Sequence, residues 1–112
     1  MRFFVGTYTR MGGPGVAVMS AEGDVLSLKS TVGALPDPSY LILSRDGTKL
    51  YSIGGGEEAG DQGRAAAYRI DGDRLTSLGV ASTGGAGPCH LCLSADERFL
   101  YVANYRSGEL SV

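Results

Sequence analysis

His90 is the only histidine among 112 residues, and it offers the most chemistry of any side chain in the sequence. Imidazole titrates near neutral pH, so it can act as base, acid or electrophile. A buried histidine bonded to backbone is the bland alternative, and the residue type alone does not separate the two. Arg10 and Arg106 could each pair with a phosphate or a carboxylate, or they could be solvated loop residues. Asn104 and Tyr105 could hydrogen-bond substrate hydroxyls, or serve a turn and packing. Cys89 and Cys92 form a CxxC, but a zinc knuckle needs a turn there and a second pair of ligands. Neither is present, and strand residues three apart point to opposite faces. Packing thiols are expected, with no metal and no other cofactor. Two glycine-rich stretches resemble phosphate loops. Gly54-Gly55-Gly56-Glu57-Glu58 leads into no helix, and its two Glu would repel phosphate. Gly84-Gly85-Ala86-Gly87 has no acid and leads to His90, so it is the better anion-facing loop.

These residues need a scaffold, and the scaffold is visible as a repeat. Asp37-Pro38-Ser39-Tyr40-Leu41-Ile42-Leu43-Ser44-Arg45-Asp46 overlays the stretch that begins at Gly87-Pro88-Cys89-His90. The offset is 88 − 38 = 50 residues, without a gap. Leu41 meets Leu91, Leu43 meets Leu93, Ser44 meets Ser94, Asp46 meets Asp96, and Leu50-Tyr51 meets Leu100-Tyr101. A second anchor lies elsewhere: Gly23 and Gly72, each in a tight turn, are 72 − 23 = 49 residues apart. Short apolar runs between glycine, proline and Asp-Gly turns predict strands at 3–8, 16–20, 25–32, 40–43, 49–53, 65–70, 75–82, 90–93, 99–104 and 110–112. Essentially no helix is expected. Four hairpin-linked strands per ~50 residues is the pattern of a propeller blade. The fold class is therefore all-β, a partial β-propeller of four-stranded antiparallel blades. Residues 1–32 form a partial blade, 38–82 a full one and 88–112 another partial one. Phe99 to Ala103 is apolar without alternation, as expected of a strand buried on both faces. A small meander or sandwich with accidental similarity is the competing architecture.

The repeat also places the chemistry. The loops at 10–15, 33–38, 54–63, 84–88 and 105–108 fall on one rim, and loops on a rigid scaffold are where binding residues concentrate. His90 opens an innermost strand, so its ring is expected near the central channel at that rim. Asn104 and Tyr105 end the neighbouring strand, within about one strand spacing (~5 Å) of it.

The net charge is −2, from 10 Lys+Arg against 12 Asp+Glu, and no basic block occurs. Nucleic acid and an anionic membrane are not favoured partners. No apolar run approaches the ~18 residues of a spanning helix. Met1-Arg2-Phe3-Phe4-Val5 is cut short by Gly6-Thr7-Tyr8 before it could be a signal peptide. The expected location is cytoplasmic.

From Gly87-Pro88-Cys89-His90 through Tyr101-Val102-Ala103-Asn104-Tyr105-Arg106-Ser107-Gly108, and again at Phe4-Val5-Gly6-Thr7-Tyr8-Thr9, the sequence resembles the propeller-type 6-phosphogluconolactonase family. That family includes the carboxymuconate-cyclising enzymes. Glu97 departs from its pattern, standing where the turn usually has Gly. The resemblance implies a seven-bladed parent of which this chain is an N-terminal piece, and hydrolysis of a sugar-phosphate lactone as the parent's reaction. It implies a small-molecule substrate, His90 as a catalytic residue, and Asn104, Tyr105, Arg106 and Arg10 as substrate contacts. The His-, Arg- and Glu-bearing segments of later blades are absent, so the chain alone is expected to show no lactonase activity. Its unclosed edges are expected to favour self-association. A non-catalytic propeller that binds a ligand or a protein through the same rim is the alternative function, and a bare scaffold is the third.

Overall fold

A computed structural model describes all residues 1–112. Ten strands run in chain order: β1 (Arg2–Gly6), β2 (Val16–Glu22), β3 (Val25–Val32), β4 (Tyr40–Leu43), β5 (Lys49–Gly55), β6 (Gly63–Asp71), β7 (Arg74–Ser82), β8 (Pro88–Leu93), β9 (Leu100–Asn104) and β10 (Glu109–Ser111). They form three antiparallel sheets in the orders β1-β2-β3, β4-β5-β6-β7 and β8-β9-β10. Each sheet is a blade or part of one, and the innermost strands β4 and β8 lie side by side. The only helical piece is a single 3-10 turn, Thr9–Met11.

Local chemistry explains the hairpins. Gly23 and Gly72 take φ of 58° and 62° at the first position of two-residue loops, which close Glu22 onto Val25 and Asp71 onto Arg74. At the far end of the inner strands the repeat is reproduced bond by bond. The Ser44 hydroxyl donates to the Asp46 carboxylate at 2.7 Å and accepts from the Lys49 N–H. Ser94 does the same with Asp96 and the Phe99 N–H. These bonds favour the ionised carboxylates. The Ser44 hydroxyl and the Thr48 N–H and hydroxyl lower Asp46 from 3.8 to about 2. Ser94 and the Arg98 N–H lower Asp96 as well.

The prolines that head the repeats have a packing reason. Both are fully buried. Pro38 lies against Gly6 of the preceding blade, and Pro88 against Gly63 of its own predecessor, where a Cβ would stand 2.6 Å from the proline ring. Glycine there lets one blade's inner edge seat on the next. The core lies between blades: Val16, Leu35, Leu50, Ala66 and Tyr68 fill the first interface, and Ile53, Leu91 and Val102 the second.

Three expectations need correction. The ten-residue loop at 54–63 is shorter, because Gly54 and Gly55 continue the ladder opposite Arg64 and Gly63. The 10–15 loop begins with the 3-10 turn, whose Gly12 N–H closes on the Thr9 carbonyl. The strand at 99–104 is not buried on both faces. Val102 is buried, but Leu100, Tyr101 and Ala103 are only half-buried, because their sheet packs against a neighbour on one side only, and Phe99, 49% exposed, lies just before the strand.

Candidate functional site

β4 and β8 border a groove with a cavity volume of ≈ 440 Å³. Tyr40 and Ile42 of β4 and His90, Leu91 and Cys92 of β8 line this groove. Leu91 is buried there, with Tyr40 and Ile42 packed against its cluster. His90 is exposed, and its ring rests against the Tyr40 ring with centroids 4.7 Å apart and planes at 56°. At the far end of the same two strands, the Arg45 N–H donates to Glu97 Oε1 at 2.6 Å, and Arg45 Nη2 donates to the Ala95 carbonyl at 3.1 Å. The groove is thus fastened across the blade interface at both ends.

A β-bulge lies just before His90 in its strand. Pro88 pairs with Asn104, but the next pair is His90 with Ala103, leaving Cys89 as the extra residue. From His90 onward the ladder runs unshifted, so His90 lies opposite Ala103, the chain neighbour of Asn104. The two residues are therefore near each other in the ladder, but the Asn104 side chain bonds elsewhere. Asn104 is 2% exposed and lies inside the third blade. Its Oδ1 accepts from the Thr83 hydroxyl at 2.9 Å, and its Nδ2 donates to Ser111 Oγ at 2.8 Å. It anchors the chain on either side of the 105–108 turn.

Tyr105 is 82% exposed on that turn, and its N–H donates to the Gly87 carbonyl. Arg106 follows, with Nη1 reaching the Gly56 carbonyl of the preceding blade at 3.4 Å. Most of its guanidinium donors remain free. Arg10 sits at the other interface. Its Nε lies 3.6 Å from Asp37 Oδ2, its N–H donates to Asp37 Oδ1 at 2.9 Å, and its guanidinium lies over the Tyr8 ring. Arg10, Arg106 and Tyr105 therefore share a rim, but none of them stacks on or hydrogen-bonds to His90. The 84–87 loop is not an open anion cradle: the N–H groups of Gly84, Gly85 and Ala86 are bonded to Ser82, Thr83 and Ser107 hydroxyls.

Two residues escaped the sequence reading. Tyr40 is the repeat equivalent of His90, since 90 − 40 = 50, and the overlay carried that signal. Asp37 is the equivalent of Gly87 (87 − 37 = 50), and it holds φ 46° where Gly87 holds φ 62°. Its carboxylate takes the Thr9 hydroxyl and the Arg10 N–H. Glu97 is the same device at another place: it replaces the repeat's Gly47 at φ 57° and uses its carboxylate across a blade interface. Cys89 and Cys92 are exposed free thiols, and no three His, Cys, Asp or Glu side chains gather as a metal site.

The family model described as "Lactonase, 7-bladed beta-propeller" matches residues 2–112. The chain belongs to this family. It is 36% identical to the 6-phosphogluconolactonase of Bacillus subtilis over 113 aligned positions, which cover 97% of this chain and 32% of that protein. Among solved structures, the Pseudomonas aeruginosa periplasmic gluconolactonase superposes with a TM-score of 0.77 at 34% identity, over 92% of this chain and 30% of its own. A candidate 6-phosphogluconolactonase of Bacteroides uniformis gives 0.81 at 28% identity, over 96% and 31%. The chain thus spans about a third of the length of the relatives it matches. No helix in it is long and apolar enough to cross a membrane.

Proposed function

We propose that this chain supplies the His90 side of the active site of a lactone hydrolase acting on a sugar-phosphate lactone of the 6-phosphogluconolactone kind. One observation carries the reading: the sole histidine of a lactonase-family chain is exposed on the groove between two innermost strands, with its ring held in place. An imidazole nitrogen removes a proton from water as the water oxygen attacks the lactone carbonyl. The carbonyl π electrons become an oxyanion, which hydrogen-bond donors stabilise. The ring C–O bond then breaks, and the proton passes to the departing oxygen, leaving a hydroxy acid. Arg106, with free donors on the rim, takes the phosphate, and the Tyr105 hydroxyl contacts the sugar. Arg10, pinned by Asp37, adds positive charge at the neighbouring interface. Asn104 acts through the turn it anchors. The two exposed free thiols fit a reducing compartment, which supports the cytoplasm as the place of action.

The chain itself can be tested for binding. Titration with 6-phosphogluconate, the reaction product, should move the imidazole C–H signals of His90 saturably in proton NMR. Arg106→Ala should weaken that binding. Signals that stay fixed at saturating ligand would overturn the reading.

A further inference from the structure

Tyr40 and His90 occupy the same place in consecutive repeats and stand early in their innermost strands, Tyr40 opposite Ile53 and His90 opposite Ala103. Their rings form a tilted pair at 4.7 Å and 56°, inside the window of roughly 4.5–7 Å that aromatic pairs prefer. Neither imidazole nitrogen hydrogen-bonds within the chain. The contact that orients the ring is therefore its tilted pairing with the Tyr40 ring, and both nitrogens are left for water and substrate. A general base must bring its nitrogen within about 2.6–3.2 Å of the water it deprotonates, and a misplacement of about 1 Å can cost ~100-fold in rate.

We propose that Tyr40 is the positioning residue of His90, and that its ring, not its hydroxyl, does the positioning. The site is then composite: the base comes from one blade and its orientation from the preceding one. The Arg45–Glu97 and Arg45–Ala95 bonds set the spacing of the same two strands from their other end. This inference rests on the lactone-hydrolase reading of His90, but its geometric half can be read without any substrate.

The experiment compares the 112-residue chain with its Tyr40→Phe and Tyr40→Leu variants. Because there is one histidine, its imidazole C–H signals are unambiguous. The Tyr40 ring current should displace them, Phe should preserve that displacement, and Leu should abolish it while the far-UV β signature stays unchanged. The dissociation constant for 6-phosphogluconate should rise about 2- to 10-fold in Tyr40→Leu, the range of one aromatic pair, and stay at the parent value in Tyr40→Phe. Imidazole signals identical in Tyr40→Leu and the parent would overturn the proposal. So would equal loss of binding in both variants, which would assign the effect to the hydroxyl. A parent chain that shows the ring-current displacement but binds no 6-phosphogluconate would remove the lactone reading and leave the positioning contact standing.

Discussion

Asp37 offers a substitution whose two effects have opposite signs. At φ 46° it holds a left-handed backbone that costs a non-glycine residue about 1 kcal/mol. Against that, its carboxylate, on a side chain 10% exposed, accepts from the Arg10 N–H at 2.9 Å and the Thr9 hydroxyl at 3.2 Å. Hydrogen bonds to a charged group contribute about 1.5–3 kcal/mol. The partly exposed Arg10 ion pair at 3.6 Å adds at most about 1 kcal/mol. Asp37→Gly loses these bonds but recovers the backbone term, for a net loss of about 1–2 kcal/mol. Asp37→Ala loses the bonds and keeps the strain, for a loss of about 3 kcal/mol. Urea unfolding followed by far-UV circular dichroism should rank the midpoints parent, then Gly, then Ala, at a common slope. A Gly variant as stable as the parent would show that the carboxylate contributes nothing across the interface. An Ala variant equal to Gly would show that the left-handed geometry carries no cost.

Tyr68→Phe should raise the urea midpoint by the equivalent of about 1 kcal/mol or more, because the Tyr68 hydroxyl is buried without a partner and an unsatisfied buried group costs ~1–3 kcal/mol; a lower midpoint would mean that the hydroxyl is bonded after all. Asp46 and Asp96 have folded-state pKa values below their unfolded ones, so the stability they add is complete above 3.8 and is lost as pH falls below it, toward about 2 for Asp46. The Asp46→Asn, Asp96→Asn double variant should therefore lose less melting temperature than the parent across that range, and parallel losses would contradict this. β1 and β10 each pair on one side only, and Leu110 and Val112 are 66% and 76% exposed. Sedimentation of the chain should show concentration-dependent species heavier than a monomer, and a single monomeric species at all concentrations would contradict the expectation.

The strand order was legible because each hairpin is encoded locally: Gly23 and Gly72 in their turns, and Ser44-Asp46 with Ser94-Asp96 at the inner ends. The blade seating was half legible. Pro38 and Pro88 stood out in the overlay, but their glycine partners Gly6 and Gly63 are distant in sequence and gave no sign of it. The site was legible in residue type and less so in geometry. His90 was found because it is unique, but the burial of Asn104 and its bonds to Thr83 and Ser111 arise only in the assembled third blade. Glu97 read as a departure from a turn glycine, and Asp37 was not singled out. Their compensation lies in contacts with Thr9, Arg10 and Arg45 of a preceding blade, and only the assembled interface reveals it.

The most direct test of His90 is turnover. In a hybrid where residues 1–112 replace the matching third of the Bacillus subtilis 6-phosphogluconolactonase, hydrolysis of 6-phosphogluconolactone is measured above its spontaneous rate. If His90 is the general base, His90→Asn should lower kcat by about 100-fold or more, with 6-phosphogluconate still binding. A kcat unchanged by His90→Asn in an active hybrid would contradict a catalytic role for His90.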